Sequence, residues 1–206
     1  MKERWQSLWK QAGIAEPPAG WYEQLMNAYA EPHRHYHTQQ HIAECLTEFD
    51  EARHLIQQPI AVELALWFHD AVYDPKAADN EEQSALLFKR CAAEIPLPDS
   101  LIETGSKLVL ATKHHSPDAD CDSMLIVDID LSIFGKPRER FLEYEQQIRQ
   151  EYLWVPQALF SSKRAEILKH FFTRETIYGT DWFRNKYEQQ ARQNLDETML
   201  KLRGNS

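Results

Sequence analysis

Ala65-Leu66-Trp67-Phe68-His69-Asp70-Ala71-Val72-Tyr73 decides the reading of this 206-residue chain. An imidazole and a carboxylate stand side by side in a stretch otherwise built for burial. A buried charge is costly unless it is paired or coordinates a metal. The residues leading in, Val62, Leu64, Ala65, Trp67 and Phe68, are apolar nearly all round, which predicts a central buried helix. Pro59 sits where a first helical turn tolerates proline. The pair His69-Asp70 therefore needs partners from elsewhere. Upstream the chain offers His35-Tyr36-His37 and His41; downstream it offers His114-His115, Asp128 and Asp130. Those donor types predict a metal site assembled from distant helices.

The surrounding sequence is helical in pattern. Only 6 glycines occur, and most of the 10 prolines punctuate apolar-periodic segments. Helices are expected over about 2–12, with Trp5, Leu8 and Trp9 on one face, and from Pro17-Pro18 through Trp21, Leu25 and Tyr29. Another runs from His37 through Ile42, Cys45, Leu46 and Phe49. Asp79-Asn80-Glu81-Glu82 supplies a capping cluster for a helix through Ala93, and Asp99 or Ser100 can cap the next. Leu125-Ile126-Val127 alone could be a strand. With helices on both sides and no second strand candidate, 124–134 reads as helix. Three amphipathic helices close the chain, at about 137–152, 156–173 and 181–202. The expectation is one all-α domain over 1–206, a bundle of roughly eight to ten helices with its core at about 20–200. The tryptophans are expected to cover that core.

Composition excludes several classes. Apolar residues reach 43%, enough for a globular core. Acidic residues outnumber basic ones 32 to 23, a net charge of −9 that disfavours a large nucleic-acid surface. No apolar run approaches the roughly 20 residues that span a bilayer. The opening Met1-Lys2-Glu3-Arg4-Trp5-Gln6 has no signal core behind it, and the three scattered cysteines form no CxxC. The expectation is a cytoplasmic chain with reduced thiols at Cys45, Cys91 and Cys121, read as plain buried residues. Oligomeric state is not legible.

Spacing refines the metal reading. His37 and His41 are four apart, as are Asp70 and Asp74, so each pair is expected to share a helix face. His69 and Asp70 point about 100° apart on a helix. Mixed His and Asp donors suit Mn, Mg, Fe, Co, Ni or Zn at this level. A site of that kind leaves positions open to water, as catalytic sites do.

The order His, then His-Asp, then Asp over an all-helical chain resembles the HD-domain superfamily of metal-dependent phosphohydrolases. A subgroup of predicted phosphohydrolases of about 200 residues is most similar. Tyr36-His37-Thr38-Gln39-Gln40-His41-Ile42, Trp67-Phe68-His69-Asp70-Ala71-Val72-Tyr73-Asp74 and Asp128-Ile129-Asp130-Leu131-Ser132-Ile133-Phe134-Gly135 carry the likeness. Asn80-Glu81-Glu82-Gln83-Ser84-Ala85 and Ala111-Thr112-Lys113-His114-His115 add to it. The resemblance implies His37, His69 and Asp70 as metal ligands, with Asp128 or Asp130 as the last. It implies His114, His115 and His41 as ligands of a second metal or as substrate contacts. Arg34, Lys113 and Arg149 are the candidates for binding the substrate phosphate. Asp74 or Glu81 would orient water or protonate the leaving group, with Arg34 and Lys113 stabilising charge. The activity implied is hydrolysis of a small phosphorylated metabolite, such as a nucleotide, by water that a divalent ion activates. Two alternatives stand beside it: a di-iron oxidative enzyme of the same superfamily, and a non-catalytic metal-binding helical module.

Overall fold

The computed structural model describes residues 1–113 and 120–204. Among these residues there are ten α-helices, two short 3-10 segments and no strand, the all-α architecture that the periodicity predicts. The segment 124–134 is helical for most of its length. Contacts divide the chain into two compact units, Met1–Ile129 and Asp130–Ser206.

The first unit holds α1 (Lys2–Gln11), α2 (Trp21–Ala28), α3 (Gln39–Ala52), α4 (Pro59–Phe68), α5 (Asn80–Ala92), α6 (Asp99–Ala111) and α7 (Cys121–Asp130), with the division falling one residue before α7 ends. Helix α4 is its axis. Every residue from Ala61 to Phe68 is buried, and α1, α3, α5 and α6 pack around it. Apolar on every side but for Glu63, which pairs with Arg4 at 2.7 Å, the helix has no solvent face to present, so neighbours must cover all of it. Trp5 and Trp9 of α1 lie edge-on in the cluster, with Trp5 ring centroids 5.2 Å from Trp9 and 5.3 Å from Trp67. Trp21 is buried as well.

Helix α4 is held at both ends by ionised side chains. At its start the Asp122 carboxylate of α7 accepts from the backbone N–H groups of Gln57 and Gln58, both at 2.8 Å. It thereby holds the two residues that lead into the helix, where Gln58 at the cap position makes no side-chain cap hydrogen bond. At its end the chain turns sharply. His69 still donates its backbone N–H to the Ala65 carbonyl at 2.8 Å, and Ala71 N–H reaches Phe68 O at 2.9 Å.

The second unit comprises the 3-10 segment Leu131–Gly135, α8 (Arg138–Glu151), α9 (Gln157–Phe172) and α10 (Asp181–Gly204). Helix α10 packs on α9 and on the 3-10 segment, which α8 also contacts. Asn194 of α10 donates its side-chain amide to the carbonyls of Phe134 and Lys136, tying the 3-10 segment down. Trp182 is partly exposed.

Candidate metal centre

His41 and His69 meet in the interior of the first unit. Each is 1% exposed, and their Nε2 atoms are 3.0 Å apart. Asp70 Oδ2 lies 3.0 Å from His69 Nε2 and 3.3 Å from His41 Nε2. Two imidazole nitrogens and a carboxylate oxygen this close repel one another unless something positive stands between them. A proton does this for one pair at a time; a metal ion does it for all three. Bonds of about 2.1 Å to such donors place neighbouring donor atoms about 3.0 Å apart on an octahedron and about 3.4 Å apart on a tetrahedron. The three observed separations fall on those values.

The tautomer of His69 is set by its own helix. Its Nδ1 lies 2.9 Å from the Leu66 carbonyl, which can only accept. Nδ1 therefore carries the proton and Nε2 turns its lone pair toward the cluster, the arrangement common to metal-ligating histidines. Burial alone would push the Asp70 carboxyl up. The imidazoles of His69, His37 and His41 outweigh it and hold that carboxyl well below the ordinary carboxylate range. The buried phenol of Tyr29 is pushed well up, by burial first and by Asp70 second. It donates to the Trp67 carbonyl at 3.2 Å.

Arg34 builds the turn that presents Asp70. Its side chain is fully buried, and Nη1 donates to Asp70 O at 2.6 Å and to His37 O at 3.3 Å. Nη2 donates to Ala71 O at 3.1 Å, and Nε to Glu31 at 3.0 Å. Four of its five donors are thus spent on the protein. The guanidinium also lies against the rings of Tyr29 and Tyr73. Arg34 is a positioning residue for the His69-Asp70 turn, with little capacity left for a phosphate.

The other sequence candidates are placed as follows. Thr38 caps α3, its hydroxyl accepting from Gln40 N–H, so His37 precedes the helix and does not share a helical face with His41. The His37 ring stacks on Tyr73 at 4.1 Å and comes within 6.0 Å of the His41 ring, beside the three-atom cluster. Since α4 ends at Phe68, Asp74 is not one helical turn beyond Asp70. Asp74 is exposed in a loop, where it accepts from Lys76 N–H and its backbone pairs with the Asn80 side chain. Glu81 lies in the first turn of α5. Lys113 donates to Ala78 O at 2.9 Å and pairs closely with Glu82, the contact that raises its ammonium pKa most. In the second unit Arg149 is drawn into its own loop by Tyr152 O, Val155 O and Gln157. That is a structural clamp, with the guanidinium lying on Phe160. His114 and His115 lie outside the described residues.

One donor escaped the reading of the sequence. Within the first unit His41, Cys45 and His69 each present a ligand atom, and these atoms all lie within 4.8 Å of one another. Asp130 is the last residue of α7; Asp128, about 200° round the same helix, is buried within it. Cys45 stands one turn along α3 from His41, a spacing that was legible in the sequence. It forms no disulfide, nor do Cys91 and Cys121; Cys91 is buried as expected, whereas Cys121 at the start of α7 is partly exposed.

Comparison with protein-family models, with curated proteins and with solved structures finds no match to the chain.

Proposed function

We propose that the chain is a divalent-metal phosphohydrolase of the HD-domain type, acting on a small phosphorylated metabolite. The observation that carries the metal part is the convergence of His41 Nε2, His69 Nε2 and Asp70 Oδ2 at 3.0–3.3 Å. The hydrolytic part rests on the resemblance around His69-Asp70. When bound, a divalent ion supplies a Lewis acid that brings water's pKa toward neutrality and polarises a phosphoryl oxygen.

The protein's own groups prepare that chemistry. His41 and His69 hold the ion as neutral imidazoles, the second with its proton parked on Leu66 O. Asp70 supplies negative charge that offsets the cation and leaves room for an anionic substrate. Arg34 holds the backbone carbonyls of Asp70 and Ala71, so the carboxylate needs no reorganisation. Tyr73, stacked on His37, forms an aromatic wall next to the cluster. Lys113 has one donor left after Ala78 and Glu82 and is our candidate for the phosphate contact.

The test joins metal analysis to turnover. Purified protein is assayed for bound metal, then loaded in turn with Mn, Mg, Fe, Co, Ni and Zn and screened against phosphomonoesters, phosphodiesters and nucleotides. We expect metal-stimulated hydrolysis that falls at least 100-fold in His69→Ala and Asp70→Ala while the helical circular dichroism persists. Bound metal with no hydrolysis in any state would sink the enzymatic reading and favour a binding module. Two irons per chain would favour oxidative chemistry.

A further inference from the structure

We infer that Cys45 is a thiolate donor to the same ion, so that the centre selects zinc, cobalt(II) or iron(II) over magnesium. The inference rests on the metal-centre reading above and deepens it. Helix α3 carries His41 and Cys45 four residues apart, which puts both on one face. Both are 1% exposed. The Cys45 sulfur is 3.7 Å from both ring nitrogens of His41, the Nε2 that faces His69 included, and it lies within 4.8 Å of the donor atom of His69. Bonds of about 2.3 Å to sulfur and about 2.1 Å to nitrogen set the two donors about 3.6 Å apart on a tetrahedral ion. With both ring nitrogens equally distant, the sulfur stands over the His41 ring, and a turn about the Cys45 Cα–Cβ bond brings it onto an ion held at Nε2.

The choice of metal follows from donor chemistry. Magnesium takes oxygen donors and gives up its water reluctantly. A thiolate beside two imidazoles suits zinc and the later first-row ions instead. Binding exchanges the S–H bond for a sulfur–metal bond and releases one proton to solvent.

Cobalt(II) reports the donor directly. The metal-free full chain is titrated with cobalt(II) under anaerobic conditions and followed by absorption. The expected result is visible d–d bands together with a near-ultraviolet sulfur-to-cobalt charge-transfer band. In Cys45→Ser the d–d bands persist, the charge-transfer band vanishes, and the preference for zinc over magnesium falls at least tenfold. Wild-type protein with d–d bands and no charge-transfer band overturns the assignment of Cys45 while leaving the His41, His69 and Asp70 centre intact. Wild-type protein with neither band has no centre at all, and both readings fall. The wild-type spectrum decides the matter even if the serine variant folds poorly, and His69→Ala, expected to lose both bands, identifies the centre as the source.

Discussion

Replacing Arg34 with methionine separates a positioning role from a substrate-binding one. Methionine keeps an unbranched buried stem and deletes the guanidinium. The carbonyls of His37, Asp70 and Ala71 then lose their donor in a region closed to water. Hydrogen bonds to a charged group contribute about 1.5–3 kcal/mol each, and stranding buried partners makes removal worse than absence. The Glu31 contact adds little, since that carboxylate is half-exposed. Allowing for local relaxation, we expect a loss of about 3–5 kcal/mol. With a urea slope of about 2–3 kcal/mol per molar, the midpoint moves down by about 1–2.5 M. Tryptophan fluorescence is the readout, because Trp5, Trp9 and Trp67 all lie in the first unit's core. Metal affinity should fall about 10–100-fold, the usual result of loosening a support behind a ligand. Arg34→Lys keeps the charge but not the planar fork, and should recover only part of both losses. A midpoint shift below about 0.3 M, with turnover on phosphoesters lost, would refute the argument and return Arg34 to the substrate.

Two further outcomes test the rest of the fold. Asp120 accepts from Ser123 N–H and pairs with Lys107. Partial burial pushes its carboxyl up, but Lys107 and Ser123 bring it down to about 2, below its ordinary 3.8. A depressed carboxylate pKa stabilises the fold above the unfolded value and loses that effect as pH falls through the folded one. Asp120→Ala should therefore cost about 1 kcal/mol at neutral pH, discounted for its exposure. The gap from wild type should close between about pH 4 and pH 2, and a gap independent of pH in urea titrations would contradict the assignment. In the second unit, a methyl at Gly135 would overlap the Cβ and ring of Tyr187 on α10. Gly135→Ala should cost about 1–3 kcal/mol, seen as a lower midpoint in thermal melts followed by circular dichroism, and an unchanged melt would mean that α10 shifts freely.

Helix α4 was legible because eight consecutive buried positions leave no ambiguity between faces, and Pro59 marks where it starts. The run Leu125-Ile126-Val127 was harder. A short apolar stretch buried on all sides has the same pattern in a helix as in a strand, so only the helical neighbours argued for helix. Capping was read less well. Asp99 begins α6 behind Pro98 rather than capping it, and Asp79 accepts from the Gln83 side chain instead of a backbone N–H. The spacing argument for His37 and His41 assumed one continuous helix, whereas Thr38, a readable cap residue, starts α3 after His37. The duty of Arg34 could not be read at all. Its carbonyl partners at Asp70 and Ala71 lie 36 and 37 residues away in sequence, and backbone acceptors leave no signature in residue type.

The two grips on α4 turn its length into a gauge. Asp122 fixes where the helix starts, and Arg34 fixes the turn where it stops. One residue inserted between Pro59 and Phe68 would advance the end by about 1.5 Å and swing His69 by about 100°. The imidazole would then face the apolar packing and Asp70 would leave the reach of His41. The ten-residue span is thus fixed by what must meet at its end, and point substitutions within it should be far better tolerated than any change in residue count.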